Sequence, residues 1–310
     1  MGKQTANNPT DFIMPLNMNG MEGRMMHLPH PSKTRNKEIL FVYGHHSSLE
    51  RWWGLVKVLN RYAAVTVPDL PGFGGMDSFY KIGKEPSIDN LADYLAAFIK
   101  LRFKNKRINV CGLSFGFVVI TRMLQLYPEL AKRINILVSV VGFSHYDDFS
   151  FSRRRYLFYV YGARFFSHRM PAWAYRHIIL QPSILRKMYA KTYNAADKFH
   201  ALEAEEFSAA MDMEISLWQL NDVRTHFATS VAMLTIDNCN KKVELPIWHV
   251  SMRADRYFNK HIVEQHLQVI FQDVTHIESA LDAHAPSVIA DEKMAAPLIP
   301  PKLRRVLMKL

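Results

Sequence analysis

Residues 109–116 read Asn-Val-Cys-Gly-Leu-Ser-Phe-Gly, an apolar run that ends in Gly-x-Ser-x-Gly around Ser114. Helically spaced apolar residues, Phe117 to Leu124, continue beyond it. A strand that turns sharply into a helix lifts one serine hydroxyl above the end of a sheet, the arrangement called a nucleophile elbow. The glycines have a steric reason. Side chains at Gly112 and Gly116 would strike neighbouring backbone, and the turn strains the backbone of the serine itself. The following helix aims its positive N-terminal end at the same point, which favours an oxyanion.

A serine hydroxyl is a weak nucleophile until a base removes its proton and a third group orients that base. In an open α/β sheet such partners stand beyond the C-terminal ends of parallel strands. Asp255 follows the strand-like run Ile247–Met252, and His276 follows the strand-like run Leu267–Phe271. The chain order Ser114, Asp255, His276 is the order such a sheet requires. Each partner also has a plainer reading. An Asp after a strand is commonly a turn former, and this chain has 14 histidines, most of which belong on a surface. Asp147 or Asp148, after the run Ile134–Val141, are the fallback acids, and His284 is the fallback base.

The elements that must position these groups are legible in the pattern. Phe12 to Asn17 and Met21 to Leu28 flank an Asn19-Gly20 turn and predict a hairpin. Ile39–Tyr43, Ala64–Val67 and Ile134–Val141 are short, continuous apolar runs, as buried parallel strands tend to be. Trp52–Leu59 and Leu91–Leu101 have helical spacing, the second preceded by Ser87 as a cap. Alternating strand and helix predicts an α/β fold with a mostly parallel central sheet flanked by helices. From about residue 145 to 230 strand signals stop and aromatic, arginine-rich helical segments replace them. The expected organisation is a core of residues 1–144 and 231–310 with a helical cap inserted at 145–230.

With these pieces in place the chain resembles the α/β-hydrolase superfamily, in its capped serine esterase and lipase-like form. The resemblance spans residues 10–295 in layout. It rests on Tyr43-Gly44-His45, on Pro68-Asp69-Leu70-Pro71-Gly72-Phe73-Gly74, on the elbow at Ser114, and on Asp255 and His276. It implies that Ser114 attacks a carbonyl carbon and that His276 accepts and returns the proton, with Asp255 orienting the imidazole. It implies an oxyanion hole made by the backbone N–H groups of His45 and Phe115. Three departures stand out. Tyr43 occupies the place where a His commonly precedes the glycine. Phe117 gives a bulky start to the elbow helix. The span from Asp255 to His276 is short, with room for only a compact helix near 259–265. The serine itself sets the chain apart from the haloalkane dehalogenases and epoxide hydrolases of this fold, which carry Asp at that position, and no His-Gly-Gly-Gly motif is present.

The function this implies is hydrolysis of a carboxylic ester or related acyl bond through an acyl-enzyme, of the carboxylic ester hydrolase type. The alternatives are a non-catalytic binding protein of the same fold, or an acyltransferase or lyase using the same triad. The partner expected is a small-molecule acyl substrate. No cofactor is expected, and no metal either. Adjacent His45 and His46 point in different directions on most backbones and have no third ligand at a suitable spacing. The composition, 49% hydrophobic and 22% charged, is that of a globular protein. Two cysteines make no disulfide framework, and the polar N-terminus lacks a signal-peptide core, so a cytoplasmic location is the expectation. The net charge of +11 has no zinc-finger, phosphate-loop or RNA-binding signature beside it, so no nucleic acid partner is expected. Interleaved arginines and aromatics between Arg153 and Arg176, and the basic tail from Lys302, fit either a peripheral contact with an anionic membrane surface or an amphipathic cap with its aromatics turned inward.

Overall fold

The computed structural model describes residues 8–32, 37–193, 204–281 and 291–309. Among the described residues eight strands form one sheet in the order β1-β2-β4-β3-β5-β6-β7-β8. β1 (Ile13–Met18) and β2 (Met21–Leu28) are joined by the expected hairpin. Asn19 and Gly20 both have positive φ (52° and 80°), the backbone a two-residue hairpin turn needs to match strand twist. β2 pairs antiparallel with β4 (Ala64–Pro68), and every later pairing is parallel.

β3 (Glu38–Val42) lies between β4 and β5 (Ile108–Leu113), with β6 (Ile134–Val140) beyond. All residues of β3 and β5 are buried, which is why they read as unbroken apolar runs. The chain reverses its direction of travel across the sheet between β3 and β5. The loops after those two strands therefore open a crevice at the sheet's C-terminal edge, the usual place for a site in such folds.

Helices cover both faces. α1 (Trp53–Asn60) follows β3, and α2 (Ile88–Phe103) is capped by the Ser87 side chain, which accepts from the Asn90 N–H. α3 (Phe115–Leu126) packs beside α2, and α4 (Pro128–Ala131) is one turn that leads into β6. Between β6 and β7 the described residues form five α-helices: α5 (Arg153–Phe166), α6 (Arg169–Ala174), α7 (Pro182–Tyr193), α8 (Ala204–Leu220) and α9 (Val223–Leu234). A π-helical turn at Tyr175–Ile179 follows α6. The insertion is pinched off at its base by an antiparallel bridge between His145 and Asp237. It has an apolar cluster of its own, which includes Leu180, Leu185, Met211, Ile215 and Val223.

The end of the sheet differs from the sequence expectation. Leu267–Ile270 is not strand but the last turn of α10 (Lys260–Ile270), and β8 runs from Phe271 to Ser279 beside β7 (Val243–Met252). Val263, Leu267 and Ile270 recur four and three residues apart and are the buried residues of that helix, and the Asn259 side chain caps its start. The short apolar stretch is one helical face, which a window of five residues cannot distinguish from a strand. Two short helices close the described chain, α11 (Glu292–Ala295) and α12 (Pro301–Leu307), the latter burying Leu303 and Leu307.

Candidate active site

Ser114 stands between β5 and α3 with φ 49° and ψ −119°, a conformation that L-residues hold only when their surroundings enforce it. The enforcement is visible in the glycines. A Cβ on Gly116 would lie 2.3 Å from the Val42 carbonyl oxygen and 2.5 Å from that of Tyr43. A Cβ on Gly112 would lie 2.8 Å from Cα of Phe117. The elbow can therefore press against the end of β3 only because both positions lack side chains. The Ser114 N–H donates to the Val140 carbonyl (2.9 Å), which fixes the turn to the neighbouring strand.

The loop after β3 runs directly beside the serine. A Cβ on Gly44 would approach Cβ of Ser114 to 3.3 Å, so the next residue, His45, brings its backbone to the same side. Phe115 begins α3, and its N–H is among the first amides of the helix, which have no acceptor within it. The His45 ring packs edge-on against Phe115 at 5.4 Å and against Phe73 at 5.3 Å. Its Nε2 lies 3.2 Å from the His226 carbonyl and 2.9 Å from Thr229 Oγ1. A carbonyl can only accept, so Nε2 carries the proton. Burial lowers the His45 pKa to about 4, so the ring is neutral at pH 7. His46 and His226 are also shifted well down by burial and then by neighbouring histidines. Their rings and that of Trp218 pack together, His46 4.2 Å and His226 4.6 Å from the indole. α8 and α9 thus reach over the loop beside Ser114 and wall it with uncharged rings. Among the described residues no three His, Cys, Asp or Glu side chains are grouped as a metal ion would need.

A polar anchor that the sequence did not reveal holds the two loops together. Tyr43 stands where a His was expected. Its hydroxyl donates to Asp69 Oδ1 at 2.7 Å and accepts from the Leu70 N–H at 3.0 Å. Burial first, and then the Asp69 charge, push its phenol well above the ordinary tyrosine value, so it keeps its proton. Asp69 is fully buried and also receives Arg24 Nε at 3.1 Å, while Arg24 grips Glu50 with its other nitrogens. Gly74 wraps the carboxylate so closely that no side chain could fit there, and its N–H donates to Asn221 Oδ1 at 2.8 Å. The Pro-Asp-x-x-Gly-x-Gly loop visible in the sequence is thus a cradle for its own Asp69. Tyr43→Phe strips one partner from a buried carboxylate and one from a buried amide. It is expected to lower stability by about 1–3 kcal/mol in urea unfolding. A loss within about 0.5 kcal/mol, the range of an inert surface change, would mean that Arg24 alone satisfies Asp69.

Asp255 lies in the turn after β7. Its Oδ1 accepts from the N–H groups of Tyr257 (2.8 Å) and Phe258 (3.3 Å). It borders a small cavity with Val141 and Gly142, the residues that follow β6, so it stands at the C-terminal edge of the sheet, as does Ser114. Asp148 is occupied elsewhere. It is buried, its Oδ2 accepts from the N–H groups of Ser144 and His145, and its Oδ1 lies 2.6 Å from His266 Nδ1. Asp147 is exposed beside it.

His276 is not in a loop after a strand but inside β8. It pairs with His249 of β7, which pairs with Ser139 of β6, which pairs with Gly112 of β5. That row is two residues short of Ser114 along β5, and three strand spacings, about 14 Å, separate β5 from β8. The row faces the side on which α3 packs against Gly112, and His276 Nδ1 lies 3.3 Å from Glu264 of α10. His276 is therefore a sheet-face residue and does not meet Ser114. Because Leu267–Ile270 belongs to α10, the last strand starts at Phe271 and takes His276 into its middle. Next to it His249 is buried, with Nδ1 2.9 Å from Ser139 Oγ, and burial takes its pKa down to about 3. The fallback base, His284, lies outside the described residues.

The profile of the alpha/beta hydrolase fold family matches residues 38–200, more than half of the chain. The chain belongs to the alpha/beta hydrolase family. Solved structures of that fold align over nearly the whole chain. The enol-lactonase from Burkholderia xenovorans is 16% identical with TM-score 0.61, covering 96% of this chain and 97% of its own. A thermophilic esterase from Thermogutta terrifontis is 16% identical with TM-score 0.57, covering 96% and 94%. An epoxide hydrolase from Bacillus megaterium is 12% identical with TM-score 0.65, covering 96% and 100%. No curated protein matches the chain by sequence. At such identities alpha/beta hydrolases of different chemistry align equally well. The reaction must be argued from the residues at the elbow.

Proposed function

We propose that this alpha/beta hydrolase is a serine hydrolase that cleaves a carboxylic ester or related acyl bond of a small molecule. The observation that carries the reading is Ser114 at positive φ in the β5–α3 elbow, with the Gly44–His45 loop packed against it. A serine presented in this way, beside two backbone N–H groups, suits attack on a carbonyl carbon. In the first half-reaction Ser114 Oγ bonds to the carbonyl carbon as a base takes its proton. The charge on the former carbonyl oxygen is met by the N–H groups of Phe115 and His45. Collapse expels the alcohol, which takes the proton back from the base. In the second, water attacks the acyl-enzyme with the same base, and the acid leaves.

Asp255 is the proposed acid. It belongs to the second strand over from β5, a separation of about 10 Å, which a histidine bonded at both ring nitrogens can bridge. With His276 set in β8, the base we propose is His284, which follows β8 in the chain. A fluorophosphonate probe tests the reading directly. Such a reagent is expected to label Ser114 alone, with labelling absent in Ser114→Ala. A folded wild-type protein that takes up no probe would instead be the non-catalytic relative of this fold.

A further inference from the structure

Exposed apolar side chains are concentrated on one part of this molecule. Of the eighteen large apolar residues exposed among the described residues, nine lie between Leu157 and Met188, on α5, α6, the π-helical turn and α7. Phe158, Tyr161 and Phe165 recur three and four residues apart along α5 and are 73%, 63% and 59% exposed, so they form one outward stripe. On α6, Met170 and Trp173 are 77% and 59% exposed, and Trp173 stacks on His177.

These rings are not needed for the packing of the insertion. α5 turns a different face inward, where Val160 and Ala163 are buried, the Tyr156 hydroxyl donates to the Leu234 carbonyl and Phe166 packs on Phe227. The helix is therefore apolar on two sides. An amphipathic helix that only covers a core has no physical cause for the second. The expectation of inward-facing aromatics fails for this stripe.

The charge of the same segment is one-sided. Residues 149–188 contain eight Lys and Arg and no Asp or Glu, so this stretch holds eight of the eleven excess positive charges of the whole chain. Arg153, Arg154, Arg164 and Arg169 are exposed beside the aromatic stripe, and none forms an ion pair with a described residue. Arg186, by contrast, is engaged by Asp212. Exposed aromatics interleaved with cations, in a segment that itself carries no carboxylate, match a surface that is apolar inside and anionic at its face. No helix among the described residues is long and apolar enough to cross a membrane, so contact would be made from one side.

We propose that the outer face of α5 and α6 docks on an anionic lipid bilayer, its aromatic stripe entering the headgroup layer and its arginines meeting lipid phosphates. The proposal is independent of the chemistry at Ser114, since its readout is attachment to vesicles. In co-sedimentation, the full chain is expected to bind phosphatidylcholine vesicles containing phosphatidylglycerol, and to bind pure phosphatidylcholine at least about tenfold more weakly. Phe158→Asp with Trp173→Asp is expected to reduce binding about tenfold or more, and Arg153→Gln with Arg154→Gln to do so with a weaker response to salt. All four side chains are exposed, so circular dichroism and thermal unfolding of the variants should match the wild type. Equal binding to both vesicle types, no binding to either, or full binding by the Asp variant would each overturn the proposal. So would a wild-type dimer without vesicle binding that the Asp variant converts to monomer, because the stripe would then be an interface between two copies of this chain.

Discussion

Replacing Ser114 by alanine is expected to lower kcat/KM toward short p-nitrophenyl esters by roughly 10⁴- to 10⁶-fold, with little change in unfolding temperature. The magnitude follows from how such sites work. A nucleophile, its base and the acid behave as a unit, so loss of one removes nearly all the chemistry the unit supplies. Stability should survive. The backbone at 114 is shaped by Gly112, Gly116 and the Val140 hydrogen bond, which the substitution leaves in place. What remains should come from the N–H groups of Phe115 and His45, which lie on the backbone and are untouched. Adding Asp255→Ala to Ser114→Ala should then cost almost nothing further. If Ser114→Ala stayed within tenfold of wild type, acyl-enzyme chemistry at this position would have to be abandoned.

The second large effect separates two histidines. His284→Ala is expected to depress turnover on the same scale as Ser114→Ala. His276→Gln, which keeps a polar group beside Glu264, should leave kcat/KM within about tenfold of wild type. Strand register sets His276 apart from Ser114. Ser139, His249 and His276 form a single row across β6, β7 and β8 on the face of the sheet, and Ser114 lies beyond the end of β5. A side chain does not cross three strand spacings, about 14 Å, to reach a hydroxyl on another surface. The pair of variants also controls for folding, since thermal unfolding should report damage to the sheet from His276→Gln and none from His284→Ala. The opposite pattern, with His276 essential and His284 dispensable, would sink both the register argument and the proposed base.

The contrast between the elbow and the base shows what a sequence can carry. The elbow was legible because its constraint is local. Within eight residues the chain must leave a buried strand, bend at a strained serine and enter a helix, and only glycine fits the two close approaches. The hairpin at Asn19-Gly20, the cap at Ser87, and the order of strands and helices are short-range in the same sense. The Tyr43–Asp69–Arg24 anchor was invisible because its members come from three segments. Nothing about a tyrosine before a glycine announces a carboxylate 26 residues later.

The sequence by itself determined the mostly parallel sheet and the glycine-framed elbow at Ser114, because backbone sterics and hydrophobic periodicity act between near neighbours. Only the tertiary structure decided where β8 begins, that His276 stands half-buried in a row of strand partners, and that Phe158, Tyr161 and Phe165 of α5 face outward. A five-residue apolar run fits a helix face and a strand equally well, and an aromatic helix does not state which of its sides meets the core. Packing of distant segments settles both, since it alone fixes which surfaces are left to water.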